Sequence, residues 1–403
     1  MQVSISPGRA VGSIPAPPSK SMAHRLLICA ALSNGRSVIH GISQSEDIST
    51  TIDALRSLGA DCKCEGDTVT VVGFDPFYAA PRECIFCRES GSTLRFFIPI
   101  ALLSKSVTVF GGAPSLMRRP MEIYETLCKE KGFSFQRNGL EIAVQGPLVA
   151  GEYCMAGNVS SQFVSGLLFA LPLCRGDSVI KLIPPVESRS YIDLTIEALR
   201  EFGVEIIWQN DQTLFVRGGQ RYRAHDTVVE GDYSNAAFLD AFSLIGGAVS
   251  VSGLRSDSIQ GDRVYQQYFE QLKQGIPTLD ISNCPDLGPI LFALAAALHG
   301  ASFIGVERLR IKESDRIETM SAELKKLGAK VLIRGDLLSI KPCTFFAPRE
   351  PFEGHNDHRI VMAISVLCSL YGGTIRGAEA VRKSFPNFFQ CLKTLGLEVR
   401  EFE

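Results

Sequence analysis

Two hydrophobic patterns alternate along the chain, and each occurs six times. The first has apolar residues three and four apart, then a leucine, a few polar residues and a glycine, then alternating positions. It predicts an amphipathic helix running into a strand. Its copies read ALRSLGADC, TLCKEKGFS, ALREFGVEI, QLKQGIPTL, ELKKLGAKV and CLKTLGLEV, with glycines at Gly59, Gly132, Gly203, Gly275, Gly328 and Gly396. Those glycines are 73, 71, 72, 53 and 68 residues apart. Each suits the position just past a helix, where positive φ is needed. The second pattern is a helix apolar on nearly all sides, then a turn, a short strand and a polar loop. HRLLICAALSNGRSVIHG, SQFVSGLLFALPLCRGDSVIKL and LGPILFALAAALHGASFIG are three of its copies. A helix without a polar face must be buried.

The repeating unit is about 70 residues long: buried helix, strand, amphipathic helix, then a hairpin such as residues 60–73 or 204–218. The fold class is therefore α/β (α+β), with the apolar helices buried and the amphipathic ones free to sit at a surface. Six units divide most simply as three plus three. The fourth opens at Glu230–Gly231–Asp232, which puts the boundary near residue 226.

Composition narrows the picture. A chain of 403 residues suits two domains, and 45% hydrophobic residues supply ample cores. With 41 Lys+Arg against 43 Asp+Glu, net charge gives no reason to expect nucleic acid or a membrane surface as a partner. Any electrostatic function must come from local clustering. The 12 cysteines are scattered, as reduced core residues are. Cys84 and Cys87 form a CxxC near Cys62 and Cys64, but CxC is poor zinc spacing, so no metal is expected. No Walker A or dinucleotide glycine motif occurs, so no cofactor is expected. The N-terminus lacks a signal-peptide pattern, and the longest apolar run, 290–298, falls far short of the ~20 residues of a membrane span. A cytoplasmic monomer is expected.

The chemistry gathers in the segments that enter the buried helices. They read PSKSMAHR (18–25), ESGSTLR (89–95), GNVSSQF (157–163), EGDYSNA (230–236), SNCPDLG (282–288) and NDHR (356–359). Ser, Asn, Asp and Gly there are ordinary capping residues. The cations are not ordinary. Lys20, Arg25, Arg95 and Arg359 sit where the helix dipole is already positive, and Arg119, Lys312, Arg316 and Lys383 follow strands of the second pattern. Repeated at equivalent places, helix N-termini with Lys and Arg imply phosphate or carboxylate ligands.

These segments, together with SLMRRPM, ESRSYID, RIKESDR and RKSFPNF, closely resemble the enolpyruvyl transferase family over nearly the whole chain. The resemblance implies a two-domain inside-out α/β barrel of six βαβαββ repeats, three per domain. Residues 1–18 would return to join 226–403, residues 19–225 would form the other domain, and the active site would lie in the cleft. It implies transfer of the enolpyruvyl group of phosphoenolpyruvate to the 5-hydroxyl of shikimate 3-phosphate. The carried-over site for shikimate 3-phosphate is Lys20, Ser21, Arg25, Ser160, Ser161, Gln162, Ser188, Asp286 and Lys312, with Tyr191 nearby. That for phosphoenolpyruvate is Lys20, Gly91, Arg119, Gln162, Arg316, Arg359 and Lys383. Asp286 is the candidate base, Glu313 the candidate acid, and the two roles could be exchanged; Lys20, Arg119 and Lys383 would stabilise the charged intermediate. Glyphosate would compete with phosphoenolpyruvate, since Gly91 is retained. The chain departs from the pattern at Arg308, often Asn, and at Glu89 and Phe96. The branch acting on UDP-N-acetylglucosamine fits less well, because the opening pair is Lys20–Ser21 rather than Lys-Asn and the loop 111–119 has no Cys. A non-catalytic anion-binding or RNA-end-processing scaffold conflicts with the near-neutral charge and with Asp286 and Glu313.

Overall fold

A computed structural model describes residues 1–402. The chain divides into two compact units, one continuous (Lys20–Glu230) and one made of Met1–Ser19 with Gly231–Glu403.

The two sequence patterns alternate as helices. In the continuous unit these are α1 (Lys20–Leu32), α2 (Glu46–Leu58), α3 (Gly91–Ala101), α4 (Glu122–Lys131), α5 (Ser161–Ala170) and α6 (Arg189–Glu201). In the other unit they are α7 (Tyr233–Leu244), α8 (Tyr265–Gln274), α9 (Gly288–Ala297), α10 (Arg316–Lys326), α11 (His358–Tyr371) and α12 (Phe388–Thr394). The odd-numbered helices carry the apolar pattern and are buried on nearly every side. In α9 every residue from Gly288 to Ala296 is buried, and in α11 every residue from His358 to Ser369. Each large apolar side chain so placed contributes about 1.5–3 kcal/mol. The even-numbered helices bury one face only, as in α6, where Ile192, Leu194, Thr195, Ala198 and Leu199 are buried.

Five sheets have four strands in one recurring order. In the sheet around α3, Ile85–Phe86 lies parallel to Thr108–Gly111, which pairs antiparallel with Glu141–Gln145, whose other neighbour is Ser134–Asn138. A strand–helix–strand crossover followed by a hairpin gives this arrangement. Two sheets are completed by distant chain. Gln2–Ile5 pairs with Gly373–Arg376 and Val399–Phe402, which ties the N-terminus to the last repeat. Thr227–Val228 adds in parallel to Arg36–His40. That pairing holds residues 227–230 in the continuous unit, so the chain crosses at Glu230–Gly231 instead of near 226.

The fourth repeat departs from the expected unit. Its sheet has two strands, Ala248–Ser252 parallel to Val11–Pro15, and the chain passes from α8 straight into Thr278–Asp280 with no hairpin. The missing hairpin accounts for the short spacing before Gly328. Gly275 is accordingly extended, with φ 168°, whereas Gly59, Gly132, Gly203, Gly328 and Gly396 have φ of 118°, 76°, 78°, 94° and 88°.

Candidate active site

In the continuous unit the candidate groups lie at the starts of α1, α3, α5 and α6, with Arg119 in the segment before α4. Lys20 opens α1 and its Nζ lies 2.7 Å from Asp47 Oδ2 in the first turn of α2. Arg25, one turn further, is buried. It donates to Thr195 Oγ1 (2.8 Å), the Ser21 carbonyl (2.6 Å) and the Tyr191 carbonyl (2.9 Å), and it lies over the Phe96 ring. Burial lowers its pKa to about 10, so it stays charged at neutral pH. Arg25 thus fastens Ser21 and Tyr191 to the start of α1.

Gly91 opens α3, capped by Ser90, whose hydroxyl accepts from the Thr93 amide. A Cβ on Gly91 would lie 2.9 Å from Arg119 Nη1, 3.7 Å from Gln162 Oε1 and 3.8 Å from Arg95 Nη1. Three side chains therefore converge on one bare backbone. Gln162 is held on both sides: its Oε1 accepts from Arg95 Nη1 at 2.8 Å and its Nε2 donates to Ser92 Oγ at 2.9 Å. Arg95 also donates to the Pro120 carbonyl and stacks over Phe163. Arg119 is different. Among the described residues nothing accepts from its guanidinium, and its Nε is buried. A cation without a counter-charge, beside a helix start with no side chain, is arranged for an anion. Ser160 caps α5 by accepting from the Gln162 amide, and Ser161 is buried next to it. Ser188 precedes α6 with φ 54°, a left-handed conformation that costs a non-glycine residue of order 1–3 kcal/mol.

In the other unit Asp286 sits in the turn Pro285–Leu287 before α9. It does not cap α9; its carboxylate goes to three cations instead. Oδ1 accepts from Lys312 Nζ (3.3 Å) and Arg316 Nη1 (3.0 Å), and Oδ2 from Arg359 Nη2 (2.9 Å). Arg316, 1% exposed, also contacts Glu313 Oε2 at 2.6 Å and Asp357 Oδ2 at 2.8 Å. Burial alone would lower its pKa, but Asp357, Glu313 and Asp286 together raise it well above the ordinary value. Lys312 moves the other way. Burial lowers its pKa, Asp286 opposes, and Arg308 and Arg316 add to the lowering.

Asp357, 0% exposed, is the hub that sequence reasoning missed. Besides Arg316 it accepts from Ser314 Oγ (3.1 Å) and from the Arg359 amide (3.0 Å), so it caps α11 and anchors Arg316 at once. The available signal was an Asp directly before a helix that opens with cations. His355 and Asn356, just upstream, both have positive φ, at 50° and 53°, and the Asn356 carbonyl accepts from Lys383 Nζ at 2.6 Å. His358 is buried and plays no capping part; Asp357 does that.

The sequence suggested that the cations are tolerated because anionic ligands fill the site. The structure corrects this. Lys20, Lys312, Arg316 and Arg359 each lie against a carboxylate of the same unit. Those carboxylates offset the repulsion at these four cations, whereas Arg25 donates to a hydroxyl and two carbonyls and Arg119 has no acceptor among the described residues. Among the described residues no group of three or more His, Cys, Asp or Glu side chains could hold a metal ion. No helix there is long and apolar enough to cross a membrane.

A family model described as EPSP synthase (3-phosphoshikimate 1-carboxyvinyltransferase) matches residues 5–392. The protein named 3-phosphoshikimate 1-carboxyvinyltransferase from Clostridium kluyveri is 38% identical over 99% of this chain and 98% of its own length. The one from Clostridioides difficile is 37% identical over the same shares. The solved structure of EPSP synthase from Acinetobacter baumannii superposes with TM-score 0.80 and 25% identity, covering 99% of this chain and 100% of its own. The enolpyruvyl transferase NikO from Streptomyces tendae shares the fold, with TM-score 0.76 and 14% identity.

Proposed function

The chain belongs to the EPSP synthase (3-phosphoshikimate 1-carboxyvinyltransferase) family, and from that premise we infer which of its groups perform the transfer. The reaction moves the enolpyruvyl group of phosphoenolpyruvate to the 5-hydroxyl of shikimate 3-phosphate and releases phosphate, a step of the shikimate pathway. Both groups of residues serve it.

Shikimate 3-phosphate takes Lys20, Ser21, Arg25, Ser160, Ser161, Gln162, Ser188, Asp286 and Lys312. The serine hydroxyls and the amide suit phosphate oxygens, and a carboxylate suits sugar-like hydroxyls. Phosphoenolpyruvate takes Lys20, Gly91, Arg119, Gln162, Arg316, Arg359 and Lys383. Glu313 as acid protonates the methylene carbon, which makes the central carbon electrophilic. Asp286 as base takes the proton of the 5-hydroxyl while its oxygen bonds to that carbon. In the resulting tetrahedral intermediate the phosphate and the new methyl group share one carbon. Return of a methyl proton to the Glu313 carboxylate, with the Asp286 proton passing to the departing phosphate, restores the double bond and both side chains. Lys20, Arg119 and Lys383 hold the phosphate charge throughout by preorganised electrostatics.

The observation that carries this reading is the Asp286 carboxylate held by Lys312, Arg316 and Arg359, with Glu313 on the same arginine. Anions from the substrates compete for those three cations, which frees the carboxylates for proton transfer as the ligands arrive. The test is phosphate release with both substrates. Lys20→Ala and Glu313→Ala are each expected to lower turnover by ~10²-fold or more while the circular dichroism spectrum is kept. Near-normal turnover in either variant removes the role assigned to it.

A further inference from the structure

A buried polar chain crosses from α1 through α2 to the start of α3. His24 Nδ1 lies 2.7 Å from Thr51 Oγ1, Thr51 Oγ1 lies 2.8 Å from Thr93 Oγ1, and Thr93 Oγ1 donates to Ser90 Oγ at 2.8 Å. All four residues are at most 1% exposed. Polar groups so deep are destabilising unless hydrogen-bonded, and here each hydroxyl has one proton to give. Thr93 gives its proton to Ser90, so it accepts from Thr51. Thr51 has then spent its own, so it accepts from His24. The order of donation fixes the imidazole as the Nδ1–H form. Burial first, then Lys20 and Arg25, hold the His24 pKa well below its ordinary value, so the ring is neutral and Nε2 is bare. Nε2 is buried without a hydrogen-bond partner.

At the other end Ser90 caps α3 and accepts from both the amide and the hydroxyl of Thr93. The next residue is Gly91, the backbone against which Arg119 rests. We propose that His24 positions the first turn of α3 for phosphoenolpyruvate: its Nδ1–H, acting through Thr51 and Thr93, fixes Ser90 and with it the Gly91 backbone beside Arg119. The relay rests on the placement of phosphoenolpyruvate beside Gly91 and Arg119. Its polarity suits that ligand. With both Ser90 lone pairs filled by Thr93, the Ser90 hydroxyl is left a donor at the very helix start where an anion is to sit. His24 touches no substrate and is a positioning residue.

The experiment compares Thr51→Val, which breaks the chain without changing shape, with Thr51→Ser, which keeps the hydroxyl. The Val variant is expected to raise KM for phosphoenolpyruvate by ~5-fold, the effect of about one lost hydrogen bond. KM for shikimate 3-phosphate is expected to stay within about two-fold, and the Ser variant to restore the native value. Nitrogen-15 NMR of the wild-type protein is expected to show His24 protonated at Nδ1 and bare at Nε2. An Nε2–H tautomer overturns the proposal even if the Val variant does not fold, and so does an equal rise in both KM values. Arg119→Lys separates the relay from the site it serves. If Arg119→Lys raises KM for phosphoenolpyruvate and Thr51→Val does not, the relay alone fails. If Arg119→Lys leaves that KM unchanged, the ligand is not beside Arg119 and the relay falls with its premise.

Discussion

Gly91→Ala separates stability from affinity in a single methyl group. The added Cβ would stand 2.9 Å from Arg119 Nη1, closer than such atoms are found, while Gln162 Oε1 at 3.7 Å and Arg95 Nη1 at 3.8 Å remain at ordinary contact. The obstructing atom is the end of a flexible side chain, so the protein yields by moving the Arg119 guanidinium. Little else resists, since nothing among the described residues holds that group by a hydrogen bond. Gly91 lies in α3, and Ala there gains helix propensity of up to about 1 kcal/mol. Stability should therefore hold or rise. Affinity should fall. A hydrogen bond to a charged group is worth about 1.5–3 kcal/mol, and displacement forfeits roughly half, which corresponds to a ~10-fold rise in KM for phosphoenolpyruvate. Phosphate release with phosphoenolpyruvate varied at saturating shikimate 3-phosphate measures the effect, and thermal unfolding measures the other side. A variant that melts several degrees lower, or whose KM for phosphoenolpyruvate is unchanged, would refute the reasoning.

Glyphosate is expected to compete with phosphoenolpyruvate in the wild-type protein, and Gly91→Ala is expected to weaken it along with the substrate; uncompetitive inhibition would break the link. Asp357→Asn leaves the buried Arg316 with less counter-charge, so a loss of ~3 kcal/mol or more is expected in urea unfolding. Loss of under 1 kcal/mol would show that Asp286 and Glu313 suffice. Glu323 supplies a pH dependence. Burial would raise its pKa, but hydrogen bonds from His355, Lys326 and the Glu353 amide outweigh that and lower it. A lowered folded-state pKa means the stabilisation is complete above the ordinary glutamate value and is lost as pH falls toward the depressed one. Glu323→Gln should thus lower the urea midpoint at pH 7 and converge with wild type under acid; a constant gap would contradict the assignment.

The repeat was legible because the physics is local. A helix apolar on all sides has to be covered, and GPILFALAAA or HRIVMAISVLCSLY announces that without any knowledge of what covers it. The glycine ending each amphipathic helix was equally plain at Gly59 or Gly396. At Gly275 the same letter carried a different conformation, because the strand that follows leaves no room for a hairpin. The 53-residue spacing held that information without saying which element was absent. Site chemistry divides the same way. Cations at helix starts are visible in a string of letters. Their counter-charges are not: Asp47 reaches Lys20 across 27 positions, and Asp357 reaches Arg316 across 41. Nothing local in the sequence says which distant cation each of those aspartates meets. The chain from His24 to Ser90 was hidden for the same reason, since it joins three helices through two threonines.

The claim on which the account stands is that phosphoenolpyruvate is bound by cations of both groups of residues, Arg119 in one and Lys383 in the other. KM for phosphoenolpyruvate measured in Arg119→Ala and in Lys383→Ala tests it directly. The account expects a rise of ~10-fold or more in each. A rise in one variant with the native value in the other would contradict it.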